Sequence, residues 1–406
     1  MNPYVLYLMI VGMRRLSYST VYTLFAVYLI RVVGTNPLEL VIPGAIYESA
    51  IFLFEIPTGV VADVYSRRLS VIIGFFLMGA GFIVAGTLPA LIVIVVGMAI
   101  LGVGSTFVSG ALSAWLVDEV GQERASQAFL RAAQVSVIAS FIGILLSILL
   151  GSVNLQFSIM VGGILLILMA IAMTIVMPET GFTRRPASER ESWHDFFATL
   201  HKGAQSIRTS RIVLWVLVVT FMFAGFGETF GKLWQAHILD NFSLPTLGNF
   251  EDIVWFGIIS GLSIPVTLIA TEFARKRLDL SDNIGLVRAL MLLFLALTVS
   301  ALVFALSDIF ILMLVGIWMT RMMMTMIAPL METWLNQHVP SDIRATVLSM
   351  VGQVQSLGEI AVGGPVAGGL ATIFSIRITI AVVALSLLPL TSIFLRTLRT
   401  VANQPD

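Results

Sequence analysis

Twelve stretches of about 20 or more predominantly apolar residues, separated by short polar gaps, constrain this chain more than any other feature. Each is long enough to cross a hydrocarbon core about 30 Å thick as a helix rising ~1.5 Å per residue. In that solvent every backbone N–H and C=O must find its partner inside the protein, and runs of this length meet the demand as α-helices. The expected spans are 4–33, 38–62, 69–88, 90–117, 127–150, 157–177, 211–236, 253–271, 285–306, 309–331, 343–371 and 376–396. Composition agrees. The chain is 58% hydrophobic and 11% charged, against ~45–50% and ~25% in soluble domains, and its mean hydropathy is +0.99. It reads as an all-α, multi-pass integral membrane protein, with lipid as its surroundings.

Several classes drop out. A net charge of zero offers no basic face to nucleic acid. The absence of cysteine removes disulfides, thiol catalysis and Cys-based metal sites. The first apolar run is too long for a signal h-region and holds Arg14 and Arg15 inside it, so no cleaved signal peptide is expected. H-E-x-x-H, G-x-S-x-G and G-x-x-x-x-G-K-(S/T) do not occur, and His194, His201, His237 and His338 lie in linker or loop-end positions. No enzyme, cofactor or bound metal is expected.

One long polar segment, Pro178 to Ser210, divides the runs six and six. The expected organisation is a bundle over 1–177, a linker over 178–210 and a second bundle over 211–406. Within the linker Trp193, Phe196, Phe197, Leu200 and Ile207 recur at helical spacing, which suggests an amphipathic helix on the membrane surface. Lys and Arg collect in alternate connections: Arg67 and Arg68, Arg124, the linker, Arg275 to Arg277, Arg344, then Arg396 and Arg399. Positive charge marks the cytoplasmic side, so both termini are expected there, in the cell membrane. The halves also repeat. "IPTGVVADVYSRR" (56–68) matches "IPVTLIATEFARK" (264–276), and "AWLVDEVGQERAS" (114–126) answers "TWLNQHVPSDIRAT" (333–346). Corresponding helices run in the same direction, as in a parallel duplication.

Gly59, Asp63, Arg67 and Arg68 in the first of these segments resemble the G-x-x-x-D-(R/K)-x-G-R-(R/K) loop between helices 2 and 3 of the major facilitator superfamily. The six-plus-six plan resembles that family over the whole chain. Val64 and Ser66 stand where the family commonly has a basic residue and glycine. The resemblance implies a secondary transporter of twelve helices in two parallel-repeat bundles, rocking around a central site, with this loop as a conformational gate. On physical grounds Asp63 is expected to pair with Arg67, Arg68 or a neighbouring helix start. "GGPVAGG" (363–369) resembles an element of the drug/proton antiporter branch, displaced to the symmetry-related helix, and also reads as close packing with a kink.

Intramembrane charges carry the functional signal, because each costs about 2.5–3.5 kcal/mol at mid-bilayer on insertion scales. They are Arg14 and Arg15, Glu48 and Glu55, Glu228 and Lys232, Arg321, and Glu359. Helices 3, 4, 5, 6, 8, 9 and 12 carry none centrally; for 3, 6, 9 and 12 that suits lipid-facing positions. Glu48 is expected to face Arg14 or Arg15, and Glu359 to face Arg321. Glu48 is the first choice for carrying a coupling proton, with Glu359 second and Glu55 near the inner mouth. Arg14, Arg15, Tyr18, Tyr22, Glu228, Lys232 and Arg321 are the expected substrate-cavity residues. Glu228 and Lys232 are also spaced for an i,i+4 ion pair. The leading expectation is a monomer exporting amphipathic drug-like or metabolite compounds in exchange for protons. Uptake of a small polar metabolite by symport or uniport is the second reading, and a receptor or scaffold with a transporter fold the third.

Overall fold

The computed structural model describes residues 1–182, 211–245, 253–277, 283–339 and 344–402. The proposed linker helix and Glu251, Asp252, Arg184, Arg185, Arg190, Lys202 and Arg208 lie outside them, as do the side chains of Arg275, Lys276, Arg277, Arg344 and Arg399. Among the described residues there is no strand. Twelve helices among these residues are long and apolar enough to span a membrane: α1 (Pro3–Val33), α2 (Pro37–Val64), α3 (Arg67–Thr87), α4 (Leu91–Val120), α5 (Gln122–Gly151), α6 (Leu155–Val176), α7 (Val213–Asn241), α8 (Ile253–Ala270), α9 (Ile284–Leu306), α10 (Phe310–Gln337), α11 (Met350–Ile373) and α12 (Ile376–Arg396). The protein is an all-α, multi-pass membrane protein.

Local chemistry fixes the helix ends. Asn36 closes a capping box with Glu39 at the start of α2, and Pro37 occupies the first turn, where its missing N–H costs nothing. Ser66 caps α3 through the Leu69 N–H, Asn154 caps α6 and Ser375 caps α12. Four spans are interrupted: α1 at Thr23 and Leu24, α4 at Gly110, whose φ of 70° disfavours a side chain, α11 at a π-turn over Val362–Val366, and α12 at Ser386 and Leu387. Gly364 there has φ −101° and ψ −107°, next to Pro365, which is the kink that the "GGPVAGG" run suggests. Several helices outrun their apolar cores. α5 starts at Gln122 rather than 127, α7 reaches Asn241 and α10 reaches Gln337, because hydrogen bonding continues where the sequence turns polar.

The chain divides into two compact units: Met1–Phe196 with Leu244–Ile258, and Phe197–Ser243 with Ile259–Asp406. In the first, α1 packs on α5, α2 on α4, and α3 lies between α4 and α6; in the second, α7 packs on α11 and α9 lies against α10 and α12. The pairings α1–α5, α3–α4 and α3–α6 thus recur six helices later. In the first unit, close approach rests on facing glycines. A Cβ at Gly74 would come within 2.7 Å of the Gly104 carbonyl, one at Gly81 within 2.6 Å of the Gly97 carbonyl, and one at Gly79 within 2.7 Å of the Gly163 carbonyl. Small residues let membrane helices gain dispersion contacts that lipid cannot outcompete. α3 is therefore not lipid-facing as its lack of charge suggests; 61% of its apolar window is buried, the largest share among the twelve. Outward side chains such as Ile92, Leu149, Ile175, Ile269 and Ile311 are large, apolar and exposed, as a lipid-facing surface requires.

Candidate functional site

The turn between α2 and α3 is built by residues far from it in sequence. Arg67 forms an ion pair with Asp118 on α4 and donates to the Ala114 carbonyl at 2.9 Å. The Arg68 guanidinium donates to the Thr174 carbonyl at 2.6 Å, and its backbone N–H donates to Glu179 at 2.9 Å. Neither arginine meets Asp63, so the expected local pair is replaced by partners on α4, on α6 and just beyond α6. The geometric reason is helical: α3 begins at Arg67 and carries its side chain over the end of α4, away from α2. Gly59 has open space where a Cβ would stand.

The same corner binds the segment after α6. Ser66 Oγ donates to Glu179 at 2.6 Å, the Trp115 indole N–H donates to the Pro178 carbonyl at 2.7 Å, and Glu119 accepts from the Thr180 hydroxyl and the Gly181 N–H, both at 2.8 Å. Phe182 lies under the Arg67 guanidinium, 5.9 Å from it.

Inside the first unit a polar cluster joins α1, α2 and α4. The Ser105 hydroxyl is 3.2 Å from both the Tyr18 and Tyr47 hydroxyls. The Tyr18 and Tyr22 rings pack edge-on against Phe82 at 5.4 and 5.8 Å. Glu48 acts electrostatically on Tyr18 and Tyr47, and Arg14 on Tyr18 and Tyr7. Tyr18 and Tyr47 are therefore the neighbours through which Glu48 joins this cluster. Glu55, one to two turns beyond Glu48, is exposed.

The second unit contains a cavity of about 580 Å³ lined by α7, α10 and α11 with the turn before it. Its polar side chains are Thr220, Glu228, Glu332, Gln355 and Glu359, and its walls include Phe223, Met324, Met331 and Leu348. Lys232 meets Glu228 at 3.2 Å, the i,i+4 pair that the spacing predicts. Glu359 accepts from Gln355 at 3.0 Å. Arg321 does not pair with Glu359. It donates to Ser263 Oγ at 3.2 Å and lies over the Trp234 ring at 4.3 Å, which places it against α8 and α7 instead. The kink of α11 presses on the cavity acid, because Gly363 sits directly against the Glu228 side chain.

A family model described as Major Facilitator Superfamily matches residues 7–280. The chain belongs to the major facilitator superfamily. It is therefore a secondary transporter and not an enzyme. A Bacillus subtilis (strain 168) relative, the uncharacterized MFS-type transporter YxaM, is 22% identical over 364 residues, covering 86% of this chain and 85% of that one. Among solved structures, a mutant of the nucleoside transporter NupG superposes with a TM-score of 0.81 at 13% identity, covering 97% of this chain and 99% of that one. A mutant of the peptide transporter POT in complex with sulfate gives 0.75 at 14% identity, covering 97% of this chain and 93% of that one. At these identities the likeness shows the major facilitator fold.

Sequence reasoning missed Asp118, Glu119, Glu179, Tyr47, Ser105, Ser263, Trp234 and Glu332. The first two were within reach, since "AWLVDEV" places two acids at a helix end beside the repeated tryptophans Trp115 and Trp334. The others gain their roles only from helix–helix contact.

Proposed function

We propose that this major facilitator protein exports amphipathic compounds bearing a positive charge in exchange for protons. The observation that carries the reading is the cavity of the second unit, with three carboxylates in a largely apolar wall, one of them paired with Lys232. Its volume lies within the ~300–1,000 Å³ of small-molecule sites. Lys232 engages Glu228, and Glu332 and Glu359 add carboxylates to the same wall that a cation or a proton can meet. A site that accepts either one supports exchange. The methionine and phenylalanine walls suit apolar bodies of varied shape. Glu359 is our first assignment for the coupling proton because it lines this cavity; Glu48, beside Tyr18 and Tyr47, is the alternative in the first unit, and Glu55 the third.

The remaining features are read with this function. Bundles over 1–177 and 211–406 flank the 178–210 linker, both termini face the cytoplasm, the chain acts as a monomer, and the Gly59, Asp63, Arg67 and Arg68 turn gates the cycle. A second reading, uptake of a small polar metabolite, draws support from the solved relatives, which are nucleoside and peptide transporters.

Proteoliposome flux of tetraphenylphosphonium, with and without an imposed pH gradient, tests the proposal. Wild type should accumulate the cation against its gradient. Glu359→Gln should keep downhill exchange and lose gradient-driven accumulation. If wild type ignores the gradient, proton coupling is wrong. If Glu48→Gln loses the response while Glu359→Gln keeps it, the carrier lies in the first unit.

A further inference from the structure

Arg321 is a cation eleven residues into α10, well inside a membrane-spanning helix, and its contacts among the described residues include no carboxylate. One of its five N–H donors reaches Ser263 Oγ at 3.2 Å, and the face of the guanidinium rests on Trp234. Ser263 Oγ itself donates to the Ile259 carbonyl at 2.7 Å, so it accepts from the arginine as a fixed, neutral partner. None of the guanidinium nitrogens is a fully buried atom lacking a partner. Among the described residues the donors that Ser263 does not use meet no other protein acceptor.

The helices that carry Trp234 and Arg321 also line the cavity. On α10, Arg321 is followed at helical spacing by Met324, Ala328, Met331 and Leu335, all of which line the cavity, so Arg321 lies on the same face one turn further along. On α7 the lining residues Val216, Thr220, Phe223 and Gly227 lead at the same spacing to Gly231 and Trp234. A Cβ at Gly231 would meet nothing within 4 Å. The helix faces that line the acidic cavity thus lead past Gly231 to the Trp234–Arg321 pair. Met324 lies ~4.5 Å from Arg321 along the α10 axis, and Gly227 lies ~10 Å from Trp234 along α7.

We propose that Arg321, oriented by Trp234 and Ser263, is an oxyanion subsite, and that the substrate is a zwitterion whose carboxylate or other planar oxyanion reaches it across an apolar spacer. A desolvated guanidinium needs a counter-charge, and its fork matches a two-oxygen anion. Lys232, the other cation on this stretch of α7, is engaged by Glu228. The inference rests on the cation reading of the acidic cavity and adds a second charge of opposite sign at its far end.

Three probes that share one ring separate the two ideas: benzylamine, para-(aminomethyl)benzoate and para-(acetamidomethyl)benzoate. Their affinities for the purified full-length protein are read by ligand-dependent thermal stabilisation. Wild type should bind the amino acid about tenfold or more tightly than benzylamine, as expected for a charge-assisted, two-oxygen contact. Arg321→Gln should erase that preference, and Arg321→Lys, which keeps the charge without the fork, should retain part of it. Should Arg321→Gln fail to fold, the lysine variant carries the comparison. Equal binding of amine and amino acid by wild type overturns the subsite and leaves the cation reading intact, as does a preference that survives in both variants. If the acetylated anion binds as tightly as the amino acid, the subsite stands and the cation reading falls. Binding of none of the three refutes both.

Discussion

Replacing Gly363 by alanine tests the contact between the α11 kink and the cavity acid. The added Cβ would lie 2.5 Å from the Glu228 Cβ and 3.4 Å from its carbonyl carbon, whereas carbon atoms rest at ~3.5–4.0 Å. Rotating the Glu228 side chain does not relieve this clash, because a Cβ is fixed by its own backbone. α7 and α11 must separate by about 1 Å instead, and overpacking of that kind costs about 1–3 kcal/mol. Alanine returns up to ~1 kcal/mol in helix propensity, less here because the site lies in a π-turn. The net expectation is a loss of about 1–2 kcal/mol, with the α7 and α11 walls of the cavity moved apart. Gly369 on the same helix is the control. Its Cβ would meet nothing within 4 Å, so Gly369→Ala should be neutral or stabilising by up to ~1 kcal/mol. Thermal unfolding of the purified variants, with proteoliposome flux, reads both consequences. Equal stability and wild-type flux in Gly363→Ala and Gly369→Ala would falsify the packing argument.

Asp118→Asn removes the charge facing Arg67, whose side chain is only 11% exposed; a loss of about 3 kcal/mol is expected, the low end for breaking a buried pair because Asp118 is 21% exposed. The double change Arg67→Met with Asp118→Leu should be less damaging than the single one in the same denaturation assay, and the reverse order would sink the assignment. Asp63→Asn should insert and unfold like wild type while flux collapses; wild-type flux in that variant rules out a gate there.

The span count was legible because a bilayer asks for little beyond apolar length, and length is written in consecutive residues. The Glu228–Lys232 pair was legible for a similar reason, since one helical turn fixes both partners. Arg67 was misread because the acid four residues before it, Asp63, competes on paper with Asp118, which lies 51 residues away and wins in space. The role of α3 was misread from charge alone. Its glycines at 74, 79 and 81 mark helix contacts, and a helix buried in such contacts lacks charge just as a lipid-facing one does. Arg321 was placed in the substrate cavity, yet its partner was assigned by formal charge, and the structure supplies an aromatic face and a hydroxyl instead.

The facing glycines of α3, α4 and α6 also restrict how this lineage can drift. In the pairs Gly74–Gly104, Gly81–Gly97 and Gly79–Gly163, a methyl group on either partner would meet the other's carbonyl oxygen at 2.5–2.8 Å. The obstacle is main chain, which no substitution at the opposite position removes. A second mutation therefore cannot rescue the first, and reversion is the ready route back. Neutral change is channelled to the outward faces, and homologues that carry alanine at any of these six positions must have reseated a whole helix.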